Sequence, residues 1–217
     1  MRTITVKGTG NVSVKPDYVK MSLSIDGLDK SYERALEKAN NQLKKLSDAI
    51  VSAGLSKDDL KTTSFDAEPR SKSVKKWNGN YENVFLGYAC TYGLSLSFDF
   101  DNTQLAKIIT ALAQYEANPD FSIKFTVKNP AAVNEQLLIQ ATENAKTRAK
   151  ILCQAAGCQL GQLQHIDYNW GELNLISHTR YLPRGIDYEG EGEAMPPQIT
   201  PEDIHVTDTV TFIWEIL

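Results

Sequence analysis

Val6-Lys7-Gly8-Thr9-Gly10-Asn11-Val12-Ser13-Val14-Lys15-Pro16-Asp17-Tyr18-Val19-Lys20-Met21-Ser22-Leu23-Ser24-Ile25 holds two strands and a break between them. Ile4, Val6, Val12 and Val14 fall on even positions, whereas Val19, Met21, Leu23 and Ile25 fall on odd ones. Alternation with period two is that of half-buried β-strands, so the spacing predicts strands over about 2–14 and 18–28. The phase slips at Lys15-Pro16-Asp17. Within one continuous strand such a slip would turn the apolar face outward, so a turn or bulge must interrupt the run. Pro16 has no N–H to give to a ladder and fits the interruption.

Outward from this stretch, Ser31 stands as a helix cap. Leu36, Ala39, Leu43, Leu46, Ile50 and Ala53 recur in steps of three and four, an amphipathic helix that Gly54 stops. Thr63, Phe65 and Ala67 begin a strand. Val84, Leu86, Tyr88, Cys90, Tyr92, Leu94, Leu96, Phe98 and Phe100 form an unusually long alternating one. Asn78-Gly79 between them suits a type I′ turn, so the pair is a hairpin at about 61–100, long enough to project from the domain body or to bend. The next helix covers about 102–115, with Leu105, Ile108, Ile109 and Leu112 inward, and Phe121, Ile123, Phe125 and Val127 mark a strand.

Asn129-Pro130 caps and opens a long helix that Gly157 ends. Its inner stripe reads Leu138, Ala141, Ala145, Ala149 and Leu152, and the alanines let it lie close to a sheet. A poorer strand pattern follows at about 163–176. The segment at about 184–203, rich in Gly, Glu and Pro, reads as a flexible acidic loop. Ile204, Val206, Val210, Phe212, Trp214 and Ile216, all even, close the chain as a strand. The order ββαββαβαββ predicts a single α+β domain over 1–217, a mostly antiparallel sheet with helices packed on it.

A chain of 217 residues buries a core without staples. Its net charge of −4 argues against nucleic acid or an anionic membrane as partner. Cys90, Cys153 and Cys158 are too few and too unevenly spaced for a disulfide framework or a zinc site, and read as free thiols. No run of about 18 apolar residues predicts a transmembrane segment. No apolar stretch follows Met1-Arg2, so the sequence as numbered predicts the cytoplasm. Removal of an export signal would make it periplasmic or otherwise extracytoplasmic.

Gly8-Thr9-Gly10 followed by a short strand and Pro16-Asp17 resembles the opening of the SIMPL-domain family. Ala141-Thr142-Glu143-Asn144-Ala145-Lys146-Thr147-Arg148-Ala149-Lys150 is similar to that family's alanine- and lysine-rich helix. Gly157-Cys158-Gln159-Leu160-Gly161 is similar to the element that follows it. Gly87-Tyr88 and the closing strand extend the resemblance over almost the whole chain. It implies a bacterial protein of poorly known function with no established catalytic residues. Members include envelope proteins linked to oxidative-stress tolerance, and at least one forms a large ring-like homo-oligomer.

Residue by residue, the chemistry is sparse. Gly8-x-Gly10 lacks the third glycine and following helix of a dinucleotide loop, so its glycines are expected to ease a bulge or a close backbone approach. Asp17 is expected to bond its own backbone in a turn. His165, His178 and His205 form no metal pattern. Asp187, Glu189, Glu191 and Glu193 lack EF-hand spacing. No cofactor is implied, and the chain reads as non-enzymatic. Arg70, Lys72, Lys75, Lys76 and Trp77 at the hairpin tip could suit single-stranded nucleic acid, but the acidic chain opposes this. Trp77, Tyr81 and Phe85 are instead the candidate contacts of a homo-oligomer, being large groups to leave in water. The alternative is a small-ligand module with a pocket lined by Tyr88, Tyr92 and Phe98.

Overall fold

The computed structural model of the protein describes residues 2–77, 79–114, 119–169, 171–181 and 198–217. Seven strands and three α-helices occur among them, in the order ββαββαβαββ. The fold is α+β with antiparallel sheets, as the periodicities predict.

The interruption at Lys15-Pro16-Asp17 is a passage from one sheet to another. β1 (Thr3–Val14) pairs antiparallel with the closing strand β7 (Ile204–Ile216), and β7 pairs on its other side with β6 (Leu160–Asp167). β2 (Tyr18–Asp29) belongs to a second sheet, ordered β3-β4-β2-β5, with β3 (Leu60–Lys75), β4 (Tyr81–Asp99) and β5 (Asp120–Thr126). Successive strands that bury their faces in different cores need not keep one phase. The chain forms two compact units, 1–17 with 126–178 and 201–217, and 18–125 with 179–200.

In the first unit α3 (Pro130–Ala155) packs on the three-stranded sheet. Asn129 caps it by accepting the Ala132 N–H at 3.2 Å, and Gly157 takes φ +71° beyond its end. Its buried row is Val133, Leu137, Ala141, Ala145, Ala149 and Cys153. This corrects the expected stripe: Leu138 is half-buried and Leu152 is exposed. A strict step of four is one ridge of the helix, and a single ridge lies along β1. Val6, Val210, Phe212 and Trp214 pack under the alanines, and Val12, Val127, Ile204 and Val206 pack around Leu137.

The Gly8-x-Gly10 element explains how α3 comes so close. A Cβ on Gly8 would overlap the Ala141 carbonyl and stand 2.7 Å from the Ala145 Cβ, and one on Gly10 would overlap the Leu137 carbonyl. The close backbone approach read from the sequence is therefore present. Asp17 departs from expectation. Its carboxylate accepts the Lys128 N–H at 2.7 Å, and its own N–H donates to the Thr126 carbonyl at 3.1 Å. It pins the strand leaving the first unit to the strand returning 111 residues later, rather than closing a local turn.

The second unit runs β2, α1 (Tyr32–Ser52), β3, β4, α2 (Asn102–Gln114), β5. β4 lies between β2 and β3 and antiparallel to both, which makes this a split βαβ arrangement. Val19, Met21, Leu23, Ile25, Leu94, Leu96 and Phe98 of the sheet meet Leu46, Ile50, Leu105, Ile108 and Leu112 of the helices. Gly27 repeats the glycine device, since its Cβ would overlap the Ala35 carbonyl under α1. Gly54 ends α1 with φ +91°. Ser31 occupies the N-cap position, but its side chain makes no capping bond; its N–H instead donates to Asp29 at 3.1 Å. Asp101, which sequence reading passed over, caps α2 by accepting the Gln104 N–H at 3.0 Å.

One further expectation changes. The strand placed at 163–176 starts at Leu160 and ends at Asp167, and Ile176 makes one isolated bridge to Thr126. Register shifts on either side of Leu163 disturb the alternation, so its pattern starts late. Of the type I′ turn expected at Asn78-Gly79, Asn78 lies outside the described residues. Beside it, Gly79, at φ +84°, donates to the Lys76 carbonyl at 3.0 Å, and the Lys76 N–H donates to the Asn80 carbonyl at 2.8 Å. Of the acidic loop, 184–197 lies outside the described residues.

Candidate functional site

Sheet edges carry rows of main-chain donors and acceptors that must be paired, covered or left open to a partner. On β1 the free edge is covered by α3. Arg148 Nη1 donates to the Lys7 carbonyl at 3.1 Å, Asn144 Oδ1 accepts the Thr9 N–H at 3.2 Å, and Gln140 Oε1 accepts the Asn11 N–H at 3.1 Å. Four helical residues rise about 6 Å, and two strand residues advance nearly the same, so a step of four on α3 matches a step of two on β1. Closeness enforced by Gly8 and Gly10 lets side chains as short as Asn144 reach. On β5, Ile123 bridges Tyr181 and Thr126 bridges Ile176, and the buried Thr126 hydroxyl donates to the Leu175 carbonyl.

The β6 and β3 edges remain. β6 is exposed from Gln162 to Asp167. β3, the other edge of the four-stranded sheet, is 16 residues long, and all but its first residue are exposed. Its partner β4 pairs with β2 only as far as Tyr88, opposite Asp29. Beyond that point β3 and β4 continue as a two-stranded ribbon, from Arg70 opposite Gly87 to Lys75 opposite Tyr81. The ribbon starts at a bulge that leaves Leu86 unpaired. Gly87 there takes φ +146°, with the Asp29 carbonyl where a Cβ would be.

The three residues singled out from sequence all lie on this arm. Trp77 is 99% exposed in the loop, and Tyr81 is 70% and Phe85 47% exposed on β4. Tyr81 and Phe85 share a face, being four apart on a strand. Phe85 meets Tyr88 edge-on at 5.5 Å, and Tyr88 meets Tyr32 of α1 edge-on at 6.2 Å. Exposure therefore grows outward from the base of the arm. Val74, Val84 and Leu86, which were not singled out, add exposed apolar surface. Of the basic residues at the tip, Arg70 pairs with Asp26 at 3.4 Å and Lys76 with Glu82 at 2.7 Å.

The aromatic residues of the alternative reading do not face one cavity. Phe98 is buried in the core of the second unit. Tyr92 packs on Phe65 at 4.7 Å and donates its hydroxyl to Asn40 at 2.9 Å, and Tyr88 lies at the surface. An open cleft in the same unit, about 440 Å³, is lined by Ser52, Ala53, Thr103, Ala106, Lys107, Thr110, Ala111 and Gln114, none of them aromatic. His165, His178 and His205 are exposed, and no three His, Cys, Asp or Glu stand together as metal ligands among the described residues. No helix among them is long and apolar enough to cross a membrane.

Known proteins place these features in a family. The profile of SIMPL, described as a protein of unknown function (DUF541), matches residues 4–214. The 26 kDa periplasmic immunogenic protein of Brucella abortus (strain S19) is 28% identical over 163 residues, which cover 75% of this chain and 65% of that protein. Its counterpart in Brucella melitensis biotype 1 is 27% identical over the same span. The chain thus matches just under two thirds of the length of these relatives.

Proposed function

The chain belongs to the SIMPL family, and on that premise we propose that it is a non-enzymatic structural protein that assembles with copies of itself through the β3–β4 arm. The observation that carries this reading is the β3 edge: the β1 and β5 edges are covered by other parts of the chain, whereas β3, like β6, is exposed along most of its length among the described residues, and it leads into the exposed Trp77, Tyr81 and Phe85 of the loop and β4. Pairing of β3 with a neighbouring copy supplies main-chain bonds, and the aromatic tip supplies apolar burial. The relatives bear the word periplasmic in their names, which supports a periplasmic location for this chain too. A contribution to oxidative-stress tolerance would then come from the assembled surface.

Light scattering coupled to gel filtration tests the assembly. The wild-type chain is expected to elute as an oligomer, and the triple variant Trp77→Ser, Tyr81→Ser, Phe85→Ser as a monomer with unchanged circular dichroism. A wild-type monomer at every concentration, or an oligomer that the triple variant leaves intact, refutes the proposal.

A further inference from the structure

Two thiols lie where α3 ends. Ala156 is the C-cap, Gly157 follows with φ +71°, and Cys158 donates its N–H to the Cys153 carbonyl at 3.0 Å. This is a Schellman ending, whose C″ and C3 side chains meet over the last turn. Usually that contact joins two apolar side chains; here both are cysteines. The Cys158 thiol sits 3.4 Å from the same carbonyl. Cys153 is 2% exposed and Cys158 half-buried. Burial, and then the neighbouring Cys158, push the Cys153 thiol up, so the inner sulfur is a poor first nucleophile. Just beyond, Gln159 and Leu217 exchange two main-chain bonds of 3.0 and 2.9 Å, which hold the start of β6 in place.

We propose that Cys153 and Cys158 are a thiol pair that closes reversibly to a disulfide by exchange with a small-molecule disulfide, Cys158 reacting first. One main-chain hydrogen bond and the Cys158 thiol both reach the Cys153 carbonyl, so the two residues adjoin as a disulfide needs its partners to. With oxidised glutathione, the Cys158 thiolate attacks one sulfur, the glutathione S–S bond breaks and one glutathione leaves as a thiol. Cys153 then gives up its proton and attacks the Cys158 sulfur, expelling the second glutathione. Two protein thiols are oxidised to one disulfide, and one glutathione disulfide is reduced to two thiols. Cys90, fully buried under α1, takes no part.

The test is to incubate the folded chain with oxidised glutathione, alkylate, and weigh the tryptic peptide 151–180, which holds both sulfurs. The wild-type peptide is expected to lose two hydrogens, resist alkylation and recover both thiols in dithiothreitol, with Cys90 still reduced. Cys153→Ser and Cys153→Ala, both checked by circular dichroism, should retain one glutathione on Cys158, and Cys158→Ser should stay unmodified at Cys153. A stable glutathione adduct on wild-type Cys158, two thiols that stay free, or modification of Cys90 in parallel each overturns the proposal.

Discussion

Replacing Gly8 by Ala probes how α3 is held on β1. The backbone at Gly8 is extended, so alanine meets no conformational penalty there; the cost is contact alone. Its Cβ would overlap the Ala141 carbonyl and lie 2.7 Å from the Ala145 Cβ. The carbonyl is main chain in mid-helix and cannot swing aside, so α3 has to lift. Overpacking of this kind costs about 1–3 kcal/mol. Lifting also stretches the bonds from Gln140, Asn144 and Arg148, each contributing about 0.5–1.5 kcal/mol. Loss of one or two of them brings the sum to about 2–5 kcal/mol, and the stiffer unfolded chain of alanine offsets about 0.4–1 kcal/mol. A net loss of about 2–4 kcal/mol is expected from a typical total of about 5–15 kcal/mol. Urea unfolding followed by circular dichroism and tryptophan fluorescence measures it. Gly171→Ala, with open space around the new Cβ, is the control and should shift stability by less than about 1 kcal/mol. Ala145→Gly should restore little, because the main overlap is with the carbonyl. A Gly8→Ala chain as stable as wild type, or one fully rescued by Ala145→Gly, refutes the reasoning.

Other perturbations follow the same contacts. Asp17→Ala removes the acceptor of the Lys128 N–H and should lower stability by about 1–2 kcal/mol, with Asp17→Asn between the two in the same urea titration. The double variant Gln140→Ala, Asn144→Ala uncovers the β1 edge; static light scattering should show new association at high concentration, and none appearing would mean that these side chains do not protect the edge. Asp29 is held below its ordinary 3.8, first by the hydrogen bond from Lys38 and then by the Ser31 N–H. A lowered carboxyl stabilises above its unfolded pKa and ceases to as pH falls through the folded one. The stability gap between wild type and Lys38→Met should thus be present near neutrality, start to shrink around pH 3.8 and disappear as pH falls through the lowered folded pKa, as thermal unfolding at stepped pH would show.

The legible parts of the fold are those where one face meets one core. Even positions in β7 and odd positions in β2 announce themselves because each strand buries a single face. α3 is less legible: alanines mark its stripe, but Leu138 and Leu152 compete with Leu137 and Cys153 until the strand beneath selects one ridge. Asp17 was misread because its partner lies 111 residues away, and no local pattern encodes a bond between two strands that leave and re-enter one unit. Gln140, Asn144 and Arg148 left a faint trace, polar residues in a step of four, with Asn a weak helix former in mid-helix. The exposure of Trp77, Tyr81 and Phe85 is legible because bulky residues at a hairpin tip stand out on their own. Under the proposed assembly, what they would bind lies in other copies, about which the sequence of one chain carries less.

The open edge is itself restricted, which bears on where an assembly would form. Along β3 the register with β4 shifts between Thr62 and Ser64 and again between Arg70 and Ser71, and Pro69, which cannot donate, lies between the shifts. Bulges and proline are the devices that keep an edge from pairing indiscriminately. The stretch from Ser71 to Lys75 pairs without interruption to Phe85–Tyr81 and is free of both devices. It is also the stretch that leads to Trp77 and faces Tyr81. Lys72 and Lys75 discourage pairing with arbitrary strands, but a neighbouring copy offers the exposed Glu82 carboxylate, which Lys76 contacts within its own chain, beside the same ribbon. Under the proposed assembly, contact is therefore expected at the outer half of the arm. Charge reversal of Lys72 and Lys75 to Glu should dissociate the oligomer, while Lys61→Glu near the base should leave it intact. Equal effects from base and tip would shift the contact away from the arm's outer half.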